Sequence, residues 1–385
     1  MKFFRLIFVP LGFLCVLIVR LLARVGILIR FGEFFSARLG HLAGHTEVYL
    51  CEKDAGIQPK SFDIWVHKSE PASEQLARMF ARVLHVDWTG FTRLVMLCNS
   101  CFPGAEKHLA ESDQLDRDIH NTMEKYPPHL SFTDDELRYG HHKTKMLGIP
   151  SGAKWVYLIV RDDAKHPHLP YHSYRNADID SYALAALWLA DQGYYVVRMG
   201  KNVLDPMPVQ HPKIIDFAMQ HDDFMQVYLG AFCEFCISTG TGPDAIPYIF
   251  RRPICYTNYV PLEYLMTFAP KSLAIWKHHE KDGKRMSVAE IIESKAGQFM
   301  RADEFEEAKI TLVDNTPEEI LAVVKEMVDI LECPYPTYRS ITKDALPDQT
   351  WFWSQFPRSM SDYNKKPLHG ELRMRIGSEF LRWYQ

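Results

Sequence analysis

Three apolar runs between Trp155 and Pro261 constrain this chain more than any other feature. Each is short, mostly β-branched or aromatic, and bounded by turn residues. That is the pattern of strands buried on both faces of a parallel sheet. Val156-Tyr157-Leu158-Ile159-Val160 runs into Arg161-Asp162-Asp163. Tyr194-Tyr195-Val196-Val197 runs into Arg198-Met199-Gly200, and Phe235-Cys236-Ile237 into Ser238-Thr239-Gly240-Thr241-Gly242. Open parallel α/β sheets bind ligands beyond the carboxyl ends of their strands. Two arginines and a turn of hydroxyls and glycines at that edge point to a phosphorylated ligand.

Helix signals alternate with these runs. Asp178 or Asp180 caps a stretch ending at Gln192, with Gly193 as its stop, and Asp222–Phe232 is a second helix. Pro253–Tyr256 reads as a fourth strand. Ser287-Val288-Ala289-Glu290 matches a capping box, and Asn315-Thr316-Pro317 opens a helix running to Leu331. In the first half, Val25–Phe31, Glu47–Cys51, Phe62–His67 and Arg93–Cys98 read as strands. Gly32–Gly44 reads as a loop and helix start, Gln75–Leu84 as an amphipathic helix and Asp134–Leu147 as a polar one. Pro150-Ser151-Gly152 marks a break. The reading is therefore α/β with four parts: residues 1–24, an α/β domain over 25–149, a second over 150–333, and a tail over 334–385. Within that tail a helix is expected over Gly370–Tyr384, and the tail is expected to pack back on the first domain.

A length of 385 residues fits two domains, and 47% hydrophobic residues supply their cores. The formal charge of -4 gives no general attraction to nucleic acid. Eight cysteines in a chain this long make no disulfide framework. Cys98/Cys101 and Cys233/Cys236 are too far apart in sequence for a zinc ribbon, and read as reduced core thiols. At the amino terminus Leu6–Val19 is nearly all apolar, with Lys2 and Arg5 before it and Arg20 and Arg24 after it. About twenty apolar residues span a bilayer, and this run is shorter. It reads as a membrane-associating helix over 1–24, monotopic or, if tilted, single-pass, with basic flanks suited to an anionic leaflet.

The ordered set Arg161-Asp162, Tyr174-Arg175-Asn176-Ala177-Asp178, Gly193-Tyr194, Val197-Arg198-Met199-Gly200, Ile215-Asp216, Ser238-x-Gly240 and Arg252-Pro253 resembles a family of bacterial glycosyltransferases from surface-polysaccharide loci. Arg30-Phe31-Gly32-Glu33 and Leu39-Gly40-His41-Leu42-Ala43 resemble that family's opening segment, so the likeness covers about residues 25–330. The resemblance implies a GT-B-like arrangement, two Rossmann-like domains facing across a cleft. It implies transfer of a sugar from a nucleotide-sugar donor to a polysaccharide or lipid-linked glycan, at the cytoplasmic face of the inner membrane. The nucleotide-sugar is substrate, and no cofactor is expected.

A donor diphosphate gains charge on its leaving oxygen, and a guanidinium pairs with phosphate bidentately. Arg161, Arg175 and Arg198 are the candidates for that pairing, with Asp162 orienting an arginine or holding a donor hydroxyl. Gly200 and the turn Ser238, Thr239, Gly240, Thr241 and Gly242 are expected to complete the donor site, with a helix N-terminus behind them. Gly240-x-Gly242-x-x-Ala245 also fits a dinucleotide fingerprint, but the acidic residue that would hold the ribose is replaced by Tyr256-Thr257-Asn258. An inverting transfer needs a base for the acceptor hydroxyl. His41 and Glu33, expected in the loop after the first strand, are the candidates. His166, His168 and His172 share one loop without a companion carboxylate pair, and no Asp-x-Asp stands at a strand end, so metal-independent chemistry is expected. The alternative is a non-catalytic nucleotide- or glycan-binding component of a polysaccharide assembly complex.

Overall fold

The computed structural model describes residues 8–384 except 112–115, 163, 165–169, 202, 221, 270, 333–346, 358 and 362–364. His166 and His168 lie outside the described residues. The rear half is built on a parallel sheet of strands β4 (Trp155–Ile159), β5 (Tyr195–Met199), β6 (Ile214–Asp216), β7 (Phe235–Ser238), β8 (Ile254–Tyr259), β9 (Leu273–Trp276) and β13 (Arg375–Ile376). Their spatial order is β13-β9-β8-β7-β4-β5-β6, every pair parallel. The chain thus moves outward from β4 through β5 to β6. It then returns to the middle and moves outward the other way from β7. The doubly wound switch point falls between β4 and β7, and such sheets bind ligands beyond the carboxyl ends of their strands at that point.

The front half carries three parallel strands in the order β1 (Ile29–Phe34), β2 (Phe62–His67) and β3 (His85–Asp87). Helices α1 (Val9–Arg24), α2 (Leu39–Asp54), α3 (Glu74–Val83) and α4 (Phe91–Asn99) accompany them. Two expected strands are helices. Glu47–Cys51 belongs to α2, and Arg93–Cys98 belongs to α4. The first expected strand is displaced to Ile29–Phe34, so Glu33 lies within β1 and His41 in the first turn of α2. Helix α5 (Asp134–Met146) follows with the full capping box of Thr133 and Glu136. Strands β10 (His278–Lys281), β11 (Lys284–Arg285) and β12 (Ile310–Val313) form a small antiparallel sheet.

The halves meet along α2. Its residues Leu42–Gly44 and Thr46–Glu52 are all buried, because the front sheet lies on one side and the rear half on the other. Two glycines permit this approach. A Cβ on Gly40 would stand 3.0 Å from the Cα of Gly242, and one on Gly44 would stand 2.8 Å from the Cβ of Asp116. Each costs roughly 0.5–1 kcal/mol of helix propensity, so close backbone contact is the physical reason to have them there. Arg251 ties the join from the rear. Its guanidinium donates to Glu47 Oε1 at 2.7 Å and to the carbonyls of Met123, Tyr126 and Pro127. Glu47 itself is wholly buried.

The tail departs from expectation. Arg375 and Ile376 add strand β13 to the rear sheet beside β9. The only helix described over 370–384 is Ser378–Leu381. Phe380 and Tyr384 pack on Trp276 of β9. The tail also touches residues 117–124, through Arg117 to Leu368 and Arg373 to Glu124. It therefore chiefly completes the rear sheet, since an open edge strand gains hydrogen bonds by pairing.

At the other end, α1 lays Gly12, Val16 and Val19 against α4, Gly12 so close that a Cβ would meet the Cys98 sulfur at 2.9 Å. Among the described residues no helix is long and apolar enough to cross a membrane.

Candidate functional site at the switch point

The carboxyl ends of β4 and β7 bring Arg161 and the 238–242 turn together. The Arg161 amide donates to Thr239 Oγ1 at 3.1 Å, and its Nε donates to Asn176 Oδ1 at 3.3 Å. Arg175 reaches the same place from the segment after β4. Its Nη2 donates to the Gly240 carbonyl, while its buried Nε has no hydrogen-bond partner among the described residues. Across the join, Gly40 touches Gly242, which sets His41 beside the turn. Of the expected residues, Arg161 and Arg175 thus join Thr239 and Gly240 at one edge, and His41 follows Gly40, which packs on Gly242.

The turn itself corrects an expectation. The sequence leads one to expect the turn to complete the donor site, with a helix N-terminus behind it. Instead the Gly240 amide donates to Ser238 Oγ at 3.0 Å, the Thr241 amide to Asp244 Oδ2 at 2.8 Å, and the Thr239 amide to the Ile159 carbonyl at 3.3 Å. Ser238 Oγ also donates to Asp244 Oδ2 at 2.7 Å. A buried carboxylate thus takes the Thr241 amide and the Ser238 hydroxyl, and burial pushes Asp244 up to about 6. The following α-helix, α8 (Ala245–Ile249), has five residues, too short for a useful dipole. The turn bonds the Arg161 amide and the Arg175 guanidinium, and its Thr239, Gly240 and Thr241 amides are taken by protein acceptors. Thr241-x-x-Asp244 is a capping-box spacing, and this signal could have shown it from the sequence.

Four further candidates lie elsewhere. Arg198 is 1% exposed, with Nη1 donating to the Asp205 carbonyl and to Asp216 Oδ2 at 3.3 Å. It lies inside β5, paired with the partly buried Asp216, so it does not serve the donor site. Asp162 accepts from the Ala164 amide at 3.0 Å and the Leu204 amide at 2.8 Å, pinning the loops after β4 and β5 to each other. Gly200 lies on that second loop, where a Cβ would meet Val203 at 2.9 Å. Glu33 is withdrawn as the base: it faces two cations, Lys68 at 3.4 Å and Arg93 at 3.3 Å.

His41 keeps its place and gains neighbours the sequence reading missed. Its Nδ1 lies 2.8 Å from Nε2 of His45, one turn along α2, and Phe35 packs on both rings. Burial lowers the pKa of both, that of His45 to about 4, with Asp116 opposing. A His-x-x-x-His spacing on a recognised helix would have exposed this pair. Tyr259 closes the turn from β8, its ring against Gly240 and its hydroxyl on the Tyr264 carbonyl at 2.9 Å.

Fold and site define a parallel α/β protein with cationic side chains at its switch point and a histidine presented from the other half. No protein-family model matches the chain, and no curated protein does. Among solved structures it is similar to E. coli ADP-heptose LPS heptosyltransferase II, with 14% identity, 79% of this chain and 100% of that chain covered, and a TM-score of 0.47. It is similar to a glycosyl transferase of family 9 from Veillonella parvula DSM 2008, at 11% identity, 78% and 97% coverage and a TM-score of 0.48. It is also similar to the iron-containing dodecameric glycosyltransferase TibC of enterotoxigenic E. coli H10407, at 12% identity, 82% and 78% coverage and a TM-score of 0.41. With TM-scores below 0.5, what this chain does has to be read from its own residues.

Proposed function

We propose that this protein is a glycosyltransferase that takes a sugar from a nucleotide-sugar donor and passes it to a polysaccharide or lipid-linked glycan. One observation supports the reading: Arg161 and Arg175 both bond to the turn at the switch point of a doubly wound sheet, and Gly40, the residue before His41, packs on that turn from the other half. As the glycosidic bond breaks, the diphosphate oxygen gains charge and the two guanidiniums stabilise it, each charge-assisted bond contributing roughly 1.5–3 kcal/mol. His41 accepts the acceptor hydroxyl's proton in an inverting displacement. No step calls on a metal ion.

The test is a thermal-shift screen against UDP-, GDP-, CMP- and ADP-sugars. One nucleotide class should raise the melting point by mass action, and Arg161→Ala and Arg175→Ala should each abolish most of that rise. His41→Ala should keep the rise and lose transfer. No shift with any donor refutes the reading. A second reading has an observation of its own: the turn's amides are satisfied internally and Gly40 seals against it. That favours a binding component without turnover, and a donor-bound wild type showing neither transfer nor slow donor hydrolysis would establish it.

The membrane surface is the proposed location, at the cytoplasmic face of the inner membrane. Helix α1 leaves Leu11, Leu14, Leu17, Ile18 and Leu21 about half exposed on the face opposite α4. Burying such a stripe in a headgroup layer gives monotopic attachment. Flotation with anionic vesicles should carry the protein upward, and Leu14→Glu with Leu17→Glu should leave it at the bottom.

A further inference from the structure

We propose that His41, His45 and Asp116 form a binding site for a zinc-class divalent cation at the join between the halves. The ligand atoms of the three side chains lie within 4.8 Å of one another. The two imidazoles stand at i and i+4 on α2 and already face each other, Nδ1 to Nε2 at 2.8 Å. The carboxylate is brought in by a packing device: Gly44, between the two histidines, has no Cβ, and Asp116 takes that space. Phe35 packs on both rings and limits their rotation.

Two imidazoles and one carboxylate are a borderline donor set, suited to zinc and its neighbours more than to Mg²⁺ or Ca²⁺. Zinc bonds nitrogen and oxygen at roughly 2.0–2.2 Å. Tetrahedral ligands then stand roughly 3.3 Å apart, so the imidazoles need to separate by roughly half an ångström. Three protein ligands leave a fourth position for water or substrate. Gly40, the residue before His41, lies against Gly242, so the cation would border the proposed donor site. Its occupancy takes a His41 nitrogen out of proton transfer, and zinc is expected to inhibit.

A comparison within the fold sharpens the choice. Glu47, Cys51 and His129 also lie within ligand distance of one another. There, however, Arg251 Nη2 stands 2.7 Å from Glu47 Oε1 and 3.3 Å from Cys51 Sγ. A guanidinium already fills that cluster, so it is the poorer site for a second cation.

Cobalt(II) titrated alone into the full chain is the test, read by visible d–d absorption, with zinc added afterwards as competitor. The expected result is a visible band at one equivalent that zinc abolishes. His45→Ala and the near-isosteric Asp116→Asn should weaken cobalt binding by more than about tenfold to a hundredfold, the cost of losing even an outer-shell partner. No band, or a band unchanged in both variants, overturns the proposal. A near-ultraviolet thiolate charge-transfer band lost in Cys51→Ser would put the ion at the other cluster and overturn it too. None of these readouts depends on sugar transfer, so the proposed function can fail while the cation site stands, and the reverse.

Discussion

Gly240→Ala isolates the architecture of the turn in one methyl group. Gly240 has φ +74°, a left-handed conformation that costs an L-residue roughly 1–2 kcal/mol. The added Cβ would also meet Tyr259 ring carbons at 2.8 and 3.0 Å. That ring is 8% exposed and its hydroxyl is held by the Tyr264 carbonyl, so it cannot swing away. Overpacking of this kind adds roughly 1–3 kcal/mol. The expected total is roughly 2–5 kcal/mol, measured by urea unfolding followed through tryptophan fluorescence. Gly283→Ala is the control: its φ is +72° but nothing lies within 4 Å, so only the left-handed cost applies. Nucleotide-sugar binding should fall in Gly240→Ala alone, because the Gly240 carbonyl accepts from Arg175. Adding Tyr259→Ala to Gly240→Ala should recover the packing term. Equal destabilisation by the two glycine variants, with no recovery in the double variant, would refute the fixed ring and the turn geometry built on it.

Three other outcomes follow from packing and charge. Arg251→Met takes the guanidinium from buried Glu47 and leaves it paired with His129 at 3.1 Å, at a cost of roughly 2–4 kcal/mol in urea unfolding; a cost under roughly 1 kcal/mol would mean the join does not rely on it. Asp63 accepts from Arg30 at 3.1 Å and from Tyr49 and Lys53 while itself buried, so Asp63→Asn should also cost roughly 3–5 kcal/mol in the same assay, and a near-neutral effect would contradict the network. Burial holds His279 near 4 and His369 near 3, below the ordinary 6.5. Between about pH 6.5 and 4 the unfolded chain binds protons that the native chain refuses, so stability falls with acid by up to about 1.4 kcal/mol per pH unit for each histidine. Asp244, raised to about 6, opposes one of them below that pH, and His279→Gln should flatten the measured slope.

The rear half was legible because its strands announce themselves. Residues 156–160, 194–197 and 235–237 are short apolar runs with sharp stops, and all three are buried strands in register. The front half misled for a physical reason. Helix α2 is buried on nearly every side, so Glu47–Cys51 shows no helical stripe, and a short run without period reads as a strand. Helix α4 is apolar where it meets α1 and also carries an exposed Leu97, which blurs its period in the same way. Arg161, Arg175 and His41 were identifiable as cations or a base beside strand ends. Arg198 could not be told from them, because the side on which a strand residue points depends on register. The capture of the Thr241 amide and the Ser238 hydroxyl by Asp244 is tertiary in effect but local in sequence, three residues from Thr241.

The account rests on Arg161 and Arg175 binding one diphosphate at the switch point. Isothermal titration of the wild type, Arg161→Ala and Arg175→Ala with the nucleotide diphosphate of the stabilising donor class tests it most directly. One site per chain, weakened at least about tenfold in each variant, about 1.4 kcal/mol per arginine, is the expected result. Unchanged affinity in both variants would contradict it.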